Sequence, residues 1–192
     1  MGLTGLSGIG HNRGPTVEDG GSWRLQCWRQ ARAELLPSLP IEVLRTRAAR
    51  ARDLGLQYKT YASVRAATGH DVVAFLFSFN ALRVTPGRSA MPEARASKLA
   101  DVQAGRIALA VGRVDTGALM QTNAVLDAAC AAPGVWDGFG AAGRVVREAL
   151  GRVPGDRVLL VGDMDFERDW CAAGRLAGYL TAERYFGLGS GG

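Results

Sequence analysis

The chain has 192 residues, about the length of one domain, of which 47% are hydrophobic and 21% are charged. This composition excludes a wholly disordered or fibrous protein. The formal net charge is +5, and it is unevenly placed: residues 1–90 carry 12 basic and 6 acidic side chains, whereas residues 91–192 carry 11 and 12. A basic first half predicts contact with nucleic acid, an anionic membrane surface or an acidic protein, although a general preference for arginine on helix surfaces gives the same pattern.

The first 22 residues contain seven glycines and little apolar periodicity, which predicts a flexible tail. A first helix is predicted over about residues 23–36. The second helix opens on Pro40 and has Gly55 as its left-handed cap. Its apolar positions share one face, at Ile41, Leu44, Ala48 and Ala51. A third helix is predicted from about residue 58 to 68, where Gly69 ends it.

From Asp71 onward the pattern changes to buried strands that alternate with helices. The predicted strands cover residues 72–77, 106–111 and 157–161. The predicted helices cover residues 92–104, 117–132, 141–151 and 167–180. This alternation predicts the α/β class: a small, Rossmann-like three-layer domain with a narrow, mainly parallel sheet, preceded by an N-terminal helical segment.

The predicted organisation has four parts. They are a glycine-rich tail at 1–22, a basic helical segment at 23–70, the α/β domain at 71–186 and a flexible tail at 187–192. A sheet with as few as three strands needs cover, either from the N-terminal helices or from a second copy in a homodimer.

The sequence carries few signs of location or of metal binding. Its three cysteines form no C-x-x-C pair, which argues against a disulfide framework and a zinc site. The N-terminus lacks the pattern of a secretory signal, and the longest apolar run is far shorter than a membrane span. We therefore expect a soluble cytoplasmic protein with no membrane partner and no metal site of its own.

Ligands of an open parallel sheet bind beyond the carboxyl ends of its strands, and polar side chains follow each predicted strand here. The candidates are Ser78 and Asn80, with Arg83 just after, then Asp115, and finally Gly162, Asp163 and Asp165. Together they predict a site for a nucleotide or another phosphate ester, in which Asp163 holds Mg²⁺ or a hydroxyl group while Ser78 and Asn80 donate to the phosphate. The alternative is structural: Asp163 or Asp165 caps the helix that follows, and Ser78 only ends its strand.

One stretch resembles a known family. The segment VLLVGDMDFERD resembles the acidic fourth motif of haloacid-dehalogenase-type phosphatases, with Gly162, Asp163 and Glu167 at the matching positions. Ser78, which follows a hydrophobic strand, is similar to that family's second motif. The family's nucleophile is an aspartate in a D-x-D loop after the first strand, and FLFSFNAL has Ser78 and Asn80 where those acids would stand. We interpret the resemblance as shared Rossmann-like geometry and not as membership.

Gly138, Gly140 and Gly143 form a G-x-G-x-x-G pattern, the fingerprint of dinucleotide-binding loops. The elements downstream fit this interpretation, and Asp163, twenty residues after Gly143, would bind a ribose hydroxyl. The fingerprint also needs a buried strand directly upstream, where the sequence instead predicts a helix. We therefore do not expect an NAD-type dinucleotide, and a structure with residues 134–137 outside the sheet would exclude one at this loop.

The basic helical segment has the spacing of a helix-turn-helix: a small residue, a glycine turn four positions later, and apolar positions on the second helix. The residues with this spacing are Ala51, Gly55, Leu56, Tyr61 and Val64. On this interpretation Lys59 and Arg65, with Thr60 and Ser63, project from the second helix toward nucleic acid. The first helix adds phosphate contacts from Arg45, Arg47 and Arg50. An ordinary helix pair ahead of a strand has the same spacing.

No nucleophile can be paired with a general base in this sequence, so its status as an enzyme stays open. The preferred hypothesis is a non-enzymatic binding or regulatory protein whose basic N-terminal helices contact nucleic acid or an acidic partner. The alternative is a protein that handles nucleotides or phosphate esters at the strand ends around Ser78, Asn80 and Asp163, with Mg²⁺ as its cofactor. Convergence of these side chains in one place would favour the alternative.

Overall fold

The computed structural model describes residues 39–85, 87–112 and 115–187. The α/β fold lies within the unit formed by residues 41–192. The predicted tail at 1–22 and the predicted helix at 23–36 lie outside the described residues, as do residues 188–192 of the predicted C-terminal tail.

A five-stranded, all-parallel sheet forms the centre of the fold, which confirms the predicted α/β class. Its strands are β1 (Ala74–Ser78), β2 (Gly105–Ala110), β3 (Ala128–Ala131), β4 (Val158–Gly162) and β5 (Gly178–Thr181). Their spatial order is β3-β2-β1-β4-β5. The three apolar runs predicted as strands are β1, β2 and β4, each shifted by one or two residues. They form the middle of the sheet because only strands covered on both faces need a continuous apolar sequence.

Eight α-helices surround this sheet in the part of the chain that the structure describes. They are α1 (Ile41–Asp53), α2 (Tyr58–Thr68), α3 (Phe79–Leu82), α4 (Glu93–Ala100), α5 (Thr116–Thr122), α6 (Phe139–Leu150), α7 (Glu167–Gly174) and α8 (Ala182–Phe186). A one-turn 3₁₀-helix, Gly155–Arg157, precedes β4. None of the described helices is long and apolar enough to span a membrane.

The sequence prediction is wrong for both edge strands, which it assigns to the ends of helices. The helix predicted over residues 117–132 ends at Thr122, and β3 pairs with β2 instead. The helix predicted over residues 167–180 ends at Gly174, and β5 pairs with β4. The edge sequences AACA and GYLT are short and only partly buried, so pairing with a neighbouring strand decides their conformation more than local propensity does.

The two faces of the sheet have separate cores, which gives the predicted three layers. Phe75 and Phe77 point to the face covered by α1, α2, α4, α5 and α8. Leu76 and Leu160 point to the opposite face, which α6 and α7 cover. The helices that follow β1 and β2 therefore cover one face, and those that follow β3 and β4 cover the other.

Glycine allows α6 and α7 to approach each other closely. A Cβ atom on Gly143 of α6 would lie 2.6 Å from the carbonyl oxygen of Ala173 in α7, and one on Gly174 would overlap Val146. These two glycines are therefore required by helix packing on this face.

Helices α1 and α2 are anchored to the start of β1. The Arg50 Nε–H donates to the Asp71 carboxylate at 2.9 Å, and the Tyr61 hydroxyl donates to the other Asp71 oxygen at 2.8 Å. The two terminal nitrogens of Arg50 donate to the carbonyl oxygens of Val72 and Gln103 at 2.9 and 3.0 Å. All three nitrogens of this guanidinium group are thus bonded within the fold.

The predicted apolar face of α1 is only partly correct. Ala51 is buried, but Leu44 is exposed and Ile41 is 62% exposed. The reason is that α1 contacts the described core mainly through its carboxyl-terminal end, where Ala51 and Leu54 are buried. Gly55, with a φ of 64°, provides the left-handed turn predicted between α1 and α2.

Candidate functional site

The strand order creates a crevice between β1 and β4. The chain proceeds from β1 toward β3 on one side and from β4 toward β5 on the other, so the connections leave the carboxyl ends of β1 and β4 in opposite directions. This is the topological switch point, where open α/β sheets bind their ligands. We call the polar residues that reach these two strand ends the switch-point cluster: Asn80, Arg83, Arg95, Asp163 and Glu167.

The buried carboxylate of Glu167 holds the two strand ends together. One oxygen accepts a hydrogen bond from the Asn80 side-chain amide at 2.8 Å. The other accepts from the backbone N–H groups of Asp163 and Met164 at 2.7 and 3.1 Å. Glu167, which begins α7, is thus fully buried and satisfied by donors from both sides of the crevice.

Gly162 is required by the same arrangement. A Cβ atom at this position would overlap Glu167 Oε2 and would lie 2.6 Å from Cε2 of Tyr179. Burial, together with the nearby charge of Glu167, raises the pKa of the Tyr179 hydroxyl to about 12. The predicted site residue Gly162 therefore makes room for Glu167, and its backbone is the floor of the crevice.

Two arginines and one aspartate complete the cluster. Nη2 of Arg83 lies 3.2 Å from Oδ2 of Asp163, and the Arg83 side chain is 61% exposed. Arg95 of α4 stacks on the ring of Phe186, with 4.6 Å from its guanidinium carbon to the ring centroid. Burial lowers the pKa of Arg95, the charge of Arg83 lowers it further, and the charge of Asp163 raises it. Arg95 is therefore close enough to both residues for their charges to act on it.

Arg95 also has an unsatisfied hydrogen-bond donor. Its Nη1 atom is buried and has no hydrogen-bond partner among the residues that the structure describes. A buried guanidinium N–H without an acceptor is unfavourable, since the group has lost water and gained nothing in its place. Among the residues that the structure describes, one guanidinium nitrogen of the cluster thus lacks an acceptor.

The remaining predicted strand-end residues have structural partners. Oγ of Ser78, which is fully buried, accepts from the Ala81 N–H at 3.1 Å and caps α3. Oδ1 of Asp115 accepts from Gly117 N–H at 2.8 Å and caps α5. Asp165 is exposed and lies 3.6 Å from Arg168. The structure thus brings Asn80 and Asp163 together through Glu167. Ser78 and Asp115 cap helices, whereas the structural alternative gives the capping role to Asp163 or Asp165, and no side chain of the described residues caps α7.

The carboxylates of the cluster do not fit a dedicated Mg²⁺ site. Glu167 already accepts three hydrogen bonds, and Asp163 is paired with Arg83. Within the described residues, no group of three or more histidine, cysteine, aspartate or glutamate side chains is placed to hold a metal ion. We therefore assign no role in ligand binding to the Mg²⁺ that the sequence predicts for the alternative function.

The glycine pattern does not have the geometry of a dinucleotide fingerprint. Residues 132–138 form a loop outside the sheet, and Gly138 precedes α6. The upstream strand is β3, at the sheet edge, and two strands separate it from β4, which leads to Asp163. By the criterion stated for residues 134–137, the dinucleotide interpretation is wrong. Gly143 is explained by its contact with α7.

Three of the five basic residues predicted to contact a partner line one groove between α1 and α2. The groove has a volume of about 520 Å³, and its lining includes Arg47, Arg50 and Arg65 together with Glu42 and Asp71. We call it the α1–α2 groove. Arg45 pairs with Glu42 at 2.9 Å on the surface, and Lys59 is exposed outside the groove. Thr60, expected to face nucleic acid, is buried, and its hydroxyl accepts from Arg184 at 3.0 Å.

Two members of the switch-point cluster differ in how far the sequence identifies them. Glu167 is one of the positions in the motif resemblance, although its role as the link between β1 and β4 requires the fold. No sequence motif surrounds Arg95, which lies on α4, a helix between β1 and β2. A basic residue on a crossover helix gives no sequence signal of this kind.

Comparison of the chain with protein-family models, with curated proteins and with solved structures finds no match.

Proposed function

We propose that this protein binds a phosphate ester at the switch-point cluster, as a binding protein and not as an enzyme. The observation that carries the proposal is Arg95: a buried guanidinium nitrogen lacks an acceptor among the described residues, beside a second arginine of the same charge. A dianionic phosphate would supply the acceptor and relieve the repulsion between the two arginines.

The expected contacts follow from the hydrogen-bond donors of the cluster. Arg83 and Arg95 offer planar guanidinium groups, which match the oxygens of a phosphate better than a point charge does. Asn80 gives one amide N–H to Glu167, and the second N–H of its amide group stays available to a ligand oxygen. Glu167 takes no part in ligand contact, since it is fully buried, but it positions Asn80 and the loop after β4.

A binding role is favoured over catalysis by the state of the nucleophilic groups in the described residues. The Ser78 hydroxyl is buried and used as a cap. Burial raises the pKa of the Cys171 thiol to about 11, and burial together with the charge of Glu148 raises that of Cys130. Protonated thiols are poor nucleophiles, so neither cysteine is prepared to attack a phosphorus or carbonyl centre.

Calorimetric titration with ribose 5-phosphate and with inorganic phosphate at low salt tests the proposal. Arg83→Ala and Arg95→Met should each weaken binding by about tenfold or more, because each removes a charge-assisted contact. Arg144→Ala, an exposed arginine on α6, removes the same charge far from the cluster and should leave the affinity unchanged.

Two results would contradict this function. Equal affinity in all three variants would remove the cluster from ligand binding. Binding that requires Mg²⁺ and disappears with EDTA would favour the metal-dependent role first predicted for Asp163 over the arginine site.

The α1–α2 groove supports a second candidate function: contact with nucleic acid through Arg47 and Arg65. The specific observation is that these two arginines line one groove beside Arg50, which the fold itself uses. The groove also contains Glu42 and Asp71, so three arginines stand against two carboxylates, and Arg50 is already bonded within the fold. The switch-point cluster is the preferred site because one of its arginine nitrogens is buried without an acceptor among the described residues.

A gel-shift titration with a labelled oligonucleotide tests the second function. The double variant Arg47→Ala, Arg65→Ala should weaken binding and lower its dependence on salt, because fewer phosphate contacts release fewer counterions. The control is Arg144→Ala with Arg152→Ala, two exposed arginines elsewhere. Arg50 is left intact because its loss would disturb the fold. Failure to bind at about 50 mM salt would exclude this function.

A further inference from the structure

Large apolar side chains are exposed on the loops at the carboxyl edge of the sheet. Trp136 is 97% exposed and Phe139 is 64% exposed, and Met164, next to Asp163, is also exposed. A tryptophan usually buries a large area or places its ring at an interface. A fully exposed tryptophan beside a second aromatic residue therefore indicates a surface that another molecule covers.

The loop that presents Trp136 is a closed turn. The Asp137 N–H donates to the Gly134 carbonyl oxygen at 3.1 Å. The Gly134 N–H in turn donates to the Asp137 carboxylate at 2.8 Å. These reciprocal hydrogen bonds fix the backbone on both sides of Trp136, so its exposure is built into the loop and its ring is prepared for a contact.

A cavity of about 120 Å³ opens beside this turn. Its walls include Val135, Phe139, Phe166 and Trp170, and two carboxylates, Asp137 and Asp169. Aromatic walls suit a flat ring, and carboxylates accept hydrogen bonds from ring N–H and amino groups. The chemistry of the cavity therefore fits a nucleobase that carries an amino group, and it does not fit a sugar or a second phosphate.

The cavity and the switch-point cluster share the loop that follows β4. Phe166, in the cavity wall, is three residues from Asp163, which limits the separation of their Cα atoms to about 11 Å. Arg95, in the cluster, contacts Phe186 on one side of the sheet, and the cavity with its aromatic rings and carboxylates lies on the side covered by α6 and α7. A nucleoside monophosphate has the complementary order, with its anionic group at one end and a flat donor-bearing ring at the other.

We infer that the phosphate ester bound by this protein is a nucleotide, whose base stacks on Trp136 and Phe139 at the mouth of this cavity. The inference rests on the proposed function, because the cluster would hold the phosphate. It adds a specificity: the loop after β3 selects nucleotides over sugar phosphates, and Asp137 and Asp169 favour bases with amino groups.

Titration with adenosine monophosphate and with ribose 5-phosphate tests this inference, since the two ligands share a phosphate and a sugar. We expect adenosine monophosphate to bind about tenfold more tightly, the size of one base-stacking contact. Trp136→Ala should remove this preference and leave the affinity for ribose 5-phosphate unchanged. Tyr58→Ala, an exposed aromatic residue on α2, is the matched control and should preserve the preference.

Each contrary result has a distinct meaning. Equal affinity for both ligands, with the expected sensitivity to Arg95→Met, would overturn the nucleotide specificity and leave the phosphate site in place. Failure of both ligands to bind would overturn the phosphate site and this inference together. A change from dimer to monomer in Trp136→Ala, measured by analytical ultracentrifugation, would assign this surface to self-association instead.

Discussion

Two arginines on helices that cover the same sheet face, Arg50 on α1 and Arg95 on α4, have opposite environments. Arg50 donates to Asp71 and to two backbone carbonyl oxygens, so all three nitrogens of its guanidinium group are bonded. Arg95 stacks on Phe186, and its buried Nη1 has no partner among the described residues. The first arginine completes the fold, and the second leaves an interaction unmade.

This difference shows that position within a basic stretch is a poor guide to ligand binding. Arg50 lies in the most basic part of the described chain and is occupied by the fold. Arg95 lies in the nearly neutral second half, and its Nη1 donor is without a partner in the described part of the chain. The predictions below test whether the amino-terminal helices are a structural support and the switch-point cluster a binding site.

The largest effect on stability is expected at Glu167. Glu167→Ala should lower the free energy of unfolding by about 3–4 kcal/mol, because two backbone N–H groups and the Asn80 amide lose their acceptor in a buried space. Urea unfolding followed by circular dichroism measures this change. Glu167→Gln should cost less, about 1–2 kcal/mol, since rotation of the Asn80 amide can pair it with the new side-chain N–H.

The control for this prediction is Glu183→Gln on the exposed surface of α8. It should change the free energy of unfolding by less than about 0.5 kcal/mol. A similarly small effect of Glu167→Ala would mean that the carboxylate does not hold β1 and β4 together.

The direct comparison of Arg50 with Arg95 gives the next largest effect. Arg50→Ala should lower the free energy of unfolding by about 2 kcal/mol, because α1 loses two hydrogen bonds to the segment before β1 and one to Gln103, before β2. Arg95→Met should be neutral or slightly stabilising, since it keeps the contact with Phe186 and removes an unsatisfied donor.

Arg45→Ala is the surface control in the same unfolding experiment. Its ion pair with Glu42 is exposed, and its loss should cost less than about 0.5 kcal/mol. If Arg95→Met destabilised the protein as much as Arg50→Ala, Arg95 would be a structural residue and the proposed site would lose its main support.

The central sheet could be predicted from the sequence because its evidence is local. Continuous apolar runs indicate β1, β2 and β4, and Gly55 and Gly69 adopt the left-handed conformations expected at the ends of α1 and α2. The edge strands β3 and β5 could not be predicted in this way, since their short sequences become strands only by pairing with a neighbour.

The candidate site was predictable in part for the same reason. Strand ends are visible in a sequence, so Asn80 and Asp163 were among the candidates. The contacts of the polar side chains are not visible in the sequence: Ser78 accepts from the Ala81 N–H, and Arg95 lies on α4, away from any strand end in the sequence. Which polar groups a fold satisfies internally is a property of three-dimensional packing, and this property separates a cap from a ligand contact.

A smaller effect is expected at Asp163, whose charge opposes a bound phosphate. Asp163→Asn should strengthen binding of inorganic phosphate by about two- to fivefold, since a partly exposed carboxylate near a ligand acts with at most about 1 kcal/mol. Calorimetric titration measures the change, with Asp165→Asn as the control because that carboxylate is fully exposed. Weaker binding in Asp163→Asn would mean that Asp163 contacts the ligand directly, through a hydroxyl group or a metal ion.

The smallest effect is expected in the pH dependence of stability, through the contact of Asp71 with α1 and α2. Burial raises the pKa of Asp71, but the hydrogen bonds from Tyr61 and Arg50 outweigh burial and hold it below its ordinary value of 3.8. Because the folded-state pKa is depressed, ionised Asp71 stabilises the protein above the unfolded pKa, and this stabilisation is lost as the pH falls through the folded value. The difference in unfolding free energy between the natural protein and Asp71→Asn should therefore be constant from about pH 7 to 5 and should shrink below about pH 4.

Urea unfolding at each pH measures this difference, with the exposed Asp101→Asn as a control that should show no such change. A difference that does not vary with pH would mean that Asp71 is not bound by Arg50 and Tyr61, and the structural role assigned to Arg50 would then fail.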